Sequence, residues 1–372
     1  MPANCLSDSA SYPPISDYAL IGDCRSAGLI SRDGSLDWLC LPRFDSPSVF
    51  AALLDASEGG RYCIRPVGEY SSERRYLANT NVLETVFRTP TGACVLRDLM
   101  SVSSEEDKRA YLTPEHEVLR ELEGLEGEVE VEILYDPRPD YGRVRPLLEE
   151  RGALGLRCEV DGTSLTLHSE LPLELTDGDR SARGTARIRS GEQTYLSLTY
   201  SMEAPAVVPV LGEAARGRIE RTVRWWQEWA NRCTYEGPYR DAVVRSALAL
   251  KLMTYAPSGA LVAAPTTSLP ETIGGVRNWD YRYCWLRDAS FTLRALYALG
   301  YREEAEAYIG WLLHATRLTW PELQVLYDIF GEAKLPEREL PHLEGYAGSR
   351  PVRIGNDAQG QLQLDVYGEV IN

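Results

Sequence analysis

Near Gly212 the spacing of apolar residues changes from every second residue to a helical repeat, and no single layer of secondary structure accommodates both patterns. From Tyr18 to about Val210 short alternating runs are cut by Gly, Pro, Asp and Ser: Asn81 to Arg88, Cys94 to Met100, Val129 to Tyr135, Leu154 to Val160, Ser164 to Ser169, Ala186 to Ser190 and Gln193 to Tyr200. Such a series predicts an antiparallel β-sandwich. At 372 residues the chain is long enough for two cores. The expected architecture is multidomain, β then α: a sandwich over 1–211, a linker helix within 212–238 and a helical domain over 239–372.

Local signals refine this. Asp33-Gly34 between Gly28-Leu29-Ile30-Ser31 and Leu36-Asp37-Trp38-Leu39-Cys40-Leu41 predicts a hairpin closed by a type I′ turn, which needs positive φ at both central residues. Glu213 to Asn231 reads as a helix with Val223, Trp225, Trp226 and Trp229 on one side. Further helices are expected over Asp241 to Tyr255, Ala289 to Leu299 with Asp288 as N-cap, Arg302 to Thr316 and Glu322 to Ile329, with an apolar periodic segment from Leu362 onward. The stretch Ala260 to Arg287 lies between them as a long loop, and loops of that length are usually functional or disordered.

Composition excludes some functions. A net charge of −16 and a pI near 4.9 argue against a nucleic-acid partner, which would require a concentrated basic face. No apolar run is long enough to span a bilayer, so no membrane partner is expected. Met1 to Pro14 lacks the basic and apolar regions of a secretory signal, so a cytoplasmic location is expected. The eight cysteines form no C-x-x-C pair and the four histidines are scattered, which suggests reduced thiols, no metal site and no cofactor.

The densest chemistry is Arg277 to Asp288, with four aromatic residues, three arginines and two aspartates in twelve positions. Sugar rings present apolar faces that stack on aromatics and hydroxyls that both donate and accept. Tyr281, Trp285, Arg287 and Asp288 are therefore candidate sugar-binding residues, with Arg350, Arg353 and Asn356 of the Arg350 to Asn356 loop as a second polar set. From the residues alone, an ion pair at a helix start with the rings in a core is an equal reading.

Several long motifs decide between them. Gly22 to Ile30 with Asp33 to Pro47, the Asn278 to Asp288 run, and Arg350 to Asn356 followed by Gln361-Leu362-Gln363-Leu364-Asp365-Val366-Tyr367-Gly368-Glu369 resemble bacterial members of glycoside hydrolase family 15. The resemblance covers nearly the whole chain. It implies a β-sandwich, a linker helix and an (α/α)6 catalytic barrel, with Tyr281, Trp285, Arg287 and Asp288 lining the subsite for the non-reducing glucosyl ring. The Arg350 to Asn356 loop resembles the family's second pocket loop.

The resemblance implies inverting, exo-acting hydrolysis of α-glucosides, glucoamylase-like on an α-glucan or oligosaccharide, or alternatively on trehalose. Inversion uses one carboxylic acid and one carboxylate roughly 6.5–9.5 Å apart. In the family both are glutamates, the acid in a Gly-Ile-Trp-Glu-like loop and the base near the end of the barrel. Neither motif is present, and twelve helices need on the order of 300 residues, more than Tyr239 to Asn372 provides. A C-terminally truncated member is therefore expected, with the first part of the barrel and with acid and base beyond Asn372. Glu271, Asp280 and Glu369 are weak local substitutes. An inactive fragment acting only as a carbohydrate-binding or interaction module is the reading from another class. An incomplete ring of helices exposes apolar faces, so self-association is also expected.

Overall fold

The computed structural model describes residues 12–202 and 207–371. Two compact units divide the chain. One runs through Gln227 but omits Cys24–Ala27 and Arg43–Ser46; the other comprises those two segments and the chain from Glu228.

The first unit is built on a large antiparallel sheet of fifteen strands among the described residues. Strand His116–Asp136 is its spine: one half pairs with Gly92–Met100 and Gln193–Ser201, the other with Arg61–Pro66 and Ser181–Arg189. The expected pair of stacked layers is thus one connected network, because this strand passes from one set of partners to the other. At the changeover Gly127 has φ +59, and a Cβ there would lie 2.2 Å from Thr91 O, so only glycine fits. Leu36, Ile64, Phe87, Leu96, Leu122, Ile133 and Leu198 form part of a shared apolar core, each side chain contributing about 1.5–3 kcal/mol by leaving water.

The Asp33-Gly34 hairpin forms, but its turn is not type I′. Gly34 has φ +77 whereas Asp33 is not in the left-handed region, Gly34 N donates to Ser31 O at 3.1 Å, and Ser31 N donates to Ser35 O at 2.9 Å. These bonds describe a three-residue loop with glycine in the bulge position. Arg120, fully buried, donates to Gly34 O and Tyr62 O and pairs with Asp98 at 2.6 Å, so the hairpin tip is bound to the core.

Six helices occur among the described residues: α1 (Glu105–Ala110), α2 (Glu213–Ala230), α3 (Arg240–Leu252), α4 (Leu286–Ala298), α5 (Arg302–Leu318) and α6 (Leu364–Ile371). In the first unit α2 places Ala215, Ile219 and Val223 against Val82, Leu99, Leu119 and Tyr195, and Arg218 pairs with buried Glu117 at 3.0 Å. In the second unit Trp229 stacks on Tyr301 at 4.0 Å and donates to Glu304, which also pairs with Lys251 at 2.9 Å. No helix forms over Glu322 to Ile329; Leu326–Tyr327 instead pairs with Cys284–Trp285 as a short strand. The extended backbone there satisfies the start of α4, since Leu286 N donates to Val325 O at 3.2 Å. Among the described residues, no helix is long and apolar enough to cross a membrane.

Phe291 and Tyr297 on α4, Ile309 and Leu313 on α5, and Leu364 and Ile371 on α6 are all at least half exposed. Apolar surface of this kind favours association. Sedimentation of the 372-residue chain should show mass increasing with concentration, and Phe291→Ser with Leu313→Ser should reduce it. Gly34→Ala should lower unfolding stability by roughly 1–3 kcal/mol or more, because its Cβ would meet Ile64 O at 2.3 Å. Gly68→Ala, also at positive φ but with nothing within 4 Å, should cost less in the same denaturation experiment.

Candidate functional site

A cavity of about 920 Å³ opens in the second unit. Its wall begins with a hairpin, Thr267–Pro270 paired with Asn278–Asp280. The hairpin bulges at Ser268, a buried non-glycine residue with φ +57. Such a conformation persists only where the surroundings hold it. Here Ser268 Oγ accepts from Arg353 N at 2.7 Å and donates to Arg353 O at 3.0 Å.

The chain leaves this hairpin through a buried ion pair. Arg282 Nε and Nη2 donate to the two oxygens of Asp280 at 2.9 and 2.7 Å, and Arg282 Nη1 donates to Ser46 O at 2.9 Å and Phe44 O at 3.4 Å. Asp280 also accepts from Gly355 N at 3.2 Å through Oδ2, and its carbonyl accepts from Asn356 Nδ2 at 3.0 Å. Both side chains are about 1% exposed or less. Bidentate geometry and saturated lone pairs are what make such a pair tolerable away from water. Asp280 is therefore committed to the scaffold, which disfavours it as an acid catalyst.

Beyond the pair, Ala264 N and Ala263 N donate to Tyr281 O and Tyr283 O, each at 2.9 Å, so the backbone at both ends of the aromatic run is fixed. The rings of Tyr281 and Trp285 stand 5.3 Å apart, tilted by 46°, and both line the cavity. Burial first, and the Glu271 carboxylate second, push the Tyr281 phenol above its ordinary pKa.

Helix α4 starts at Leu286, one turn earlier than sequence periodicity suggests, and its N-cap is Trp285 rather than Asp288. The cause is the strand pair ending at Trp285, after which the backbone turns directly into the helix. Arg287 and Asp288 consequently occupy the first helical turn and line the cavity. A carboxylate in that turn suits the helix dipole. Arg287 donates to Asp365 at 3.1 Å and Asp288 at 3.3 Å, and the Asp365 hydrogen bond leads the contacts that raise its pKa.

Of the sequence-predicted residues, Tyr281, Trp285, Arg287, Asp288 and Asn356 come together around the cavity. Arg350 and Arg353 do not line it. Arg350 is exposed. Arg353 works behind the wall: its guanidinium lies 4.7 Å over Trp279, donates to Val276 O at 2.9 Å and pairs with Glu337 at 3.0 Å. Trp279, Glu271, Arg277, Glu337, Asp357 and Gln363 also line the cavity and were not singled out as binding residues. The long loop from Ala260 to Arg287 was the available signal for the first three; nothing in spacing marks the others. Glu369 lies outside the cavity lining, accepting from Ser290 at 2.9 Å and pairing with Arg294 at 3.3 Å.

Aromatic faces beside an arginine and carboxylates form a surface suited to a neutral polyhydroxylated ring. Residues 237–372 match the model of Glycosyl hydrolases family 15, and residues 6–203 match that of the Trehalase-like, N-terminal domain. The chain belongs to glycosyl hydrolase family 15. Proteins named trehalase from Mycolicibacterium smegmatis and Mycobacterium tuberculosis are each 39% identical over 97% of this chain, which covers 56% and 55% of their own lengths. A protein named trehalase from Thermoplasma volcanium is 36% identical over 97% of this chain and is covered over 56% of its length. The chain thus spans a little over half the length of these relatives.

The buried pair generates a stability test. Arg282→Met strands the Asp280 carboxylate and should cost about 3–5 kcal/mol. In urea unfolding followed by tryptophan fluorescence, a double replacement Asp280→Leu with Arg282→Met should recover part of that loss.

Proposed function

We propose that the cavity binds an α-linked glucosyl ring and that this chain carries the sugar-binding part of a trehalase-type α-glucoside hydrolase. One observation carries the reading: the tilted Tyr281 and Trp285 rings share a cavity with Arg287 and Asp288. The rings offer apolar faces to the sugar, and the Arg287 and Asp288 side chains offer complementary donors and acceptors to its hydroxyls.

Trehalose is the favoured substrate because the relatives named above are called trehalases. The glucoamylase-like expectation has less support. In this proposal the reaction is hydrolysis with inversion, and one carboxylic acid protonates the leaving oxygen while a carboxylate activates water on the opposite face.

In this proposal Asp288 acts in binding the glucosyl ring. Glu271, Asp288 and Glu337 line the cavity with an arginine partner each, and Asp357 accepts from Glu337 N at 3.1 Å. The arginine partners of Glu271, Asp288 and Glu337 are the opposite of the apolar, cation-free surroundings suited to a proton-donating acid. This observation also favours a second reading, in which the 372-residue chain alone binds sugar without turnover.

In the trehalose-hydrolysing protein that carries this chain, Arg287→Ala or Asp288→Ala should lower kcat/KM on trehalose by about 10- to 150-fold, as expected for losing hydrogen bonds to charged groups. Near-normal activity in both variants would remove this cavity from the substrate site. Glucose release from trehalose by the 372-residue chain itself would overturn the binding-only reading.

A further inference from the structure

The cavity extends beyond the groups that a single glucosyl ring needs. At about 920 Å³ it lies near the top of the range of about 300–1,000 Å³ typical of small-molecule sites. One polar pole, Arg287 with Asp288, follows the Tyr281 and Trp285 wall in the chain. A second, Glu271 with Arg277, precedes it and lines the same cavity.

The second pole is an ion pair at 3.1 Å whose side chains are 44% and 72% exposed. Pairs so exposed contribute little to stability, so the fold does not account for its placement. The hairpin tip that carries it is nevertheless held from three sides. Gly274 N donates to the hydroxyl of buried Ser349 at 2.8 Å, Asn278 Nδ2 donates to Gly275 O at 3.0 Å, and Arg353 donates to Val276 O at 2.9 Å. Rigid support beneath exposed, hydrogen-bonding side chains is the arrangement of a preorganised binding surface.

Resting on the glucosyl-site reading above, we propose that Glu271 and Arg277 form the subsite for the second ring of a disaccharide. The Arg277 guanidinium donates to hydroxyl oxygens of that ring and the Glu271 carboxylate accepts from its hydroxyl hydrogens. Tyr281 stands between the two poles and contacts both rings. The pair would thereby select a substrate with a second hexose over one bearing a small aglycone.

Titration calorimetry of the 372-residue chain with trehalose and with methyl α-D-glucopyranoside tests this. The two ligands share one ring and differ in the second. Trehalose should bind about tenfold or more tighter, and Arg277→Ala or Glu271→Gln should weaken trehalose to the level of the methyl glucoside while leaving the methyl glucoside unchanged. Unaltered trehalose affinity in both variants, or equal weakening of both sugars, overturns the second-ring assignment. Binding of neither sugar by the unaltered chain overturns the glucosyl-site reading and this inference with it. Since both side chains are exposed, the variants should retain the parent melting temperature.

Discussion

The cavity wall depends on the buried pairing of Asp280 with Arg282. The two residues lie two apart in the chain, yet they bind groups from two distant segments: Arg282 donates to the carbonyls of Phe44 and Ser46, while Asp280 accepts from the amide of Gly355 through its carboxylate and from the side chain of Asn356 through its carbonyl. An isolated charge in such a place would be prohibitive; a bidentate pair whose remaining atoms are all used is not. Geometry follows from that saturation. Because Asp280 ends one strand and Arg282 directly follows Tyr281, fixing the pair fixes where the Tyr281 ring emerges. The same bonds bring Asn356 to the cavity, although 75 residues separate it from Tyr281 in sequence.

The arginines divide the work according to what surrounds them. Arg282 and Arg353 face carbonyls, a carboxylate and an indole ring and hold the wall from behind. Arg287 and Arg277 have similar carboxylate partners but stand at the cavity with exposed heads. An ion pair alone does not distinguish scaffold from site; its exposure and the cavity beside it do. The same test separates Glu369, bound between Ser290 and Arg294, from Glu271 at the cavity edge.

Much of this was legible in sequence because it rests on local rules. Alternation marked Leu156–Val160 and Thr163–Ser169 nearly to the residue, and helical periodicity marked α2 and α5. Strand His116–Asp136 was legible only in its second half. Its first half carries Leu119, Leu122 and Leu125 at helical spacing among glutamates, and pairing on both edges overrides that pattern. Trp285, Arg287 and Asp288 were readable from their adjacency at a helix start. Arg353 was not, because Arg350, Arg353 and Asn356 are all polar loop residues that look alike until tertiary contacts send Asn356 to the cavity and Arg353 against Trp279. Asp288 as N-cap failed for a similar reason: the strand partner Leu326–Tyr327 determines where α4 begins, and that partner lies some forty residues downstream.

A crystal structure of the chain soaked with trehalose tests the central claim most directly. The account predicts one glucosyl ring stacked against Trp285 and Tyr281, with hydroxyls hydrogen-bonded to Arg287 and Asp288. Trehalose bound elsewhere on the chain, with this cavity empty at saturating sugar, would contradict it.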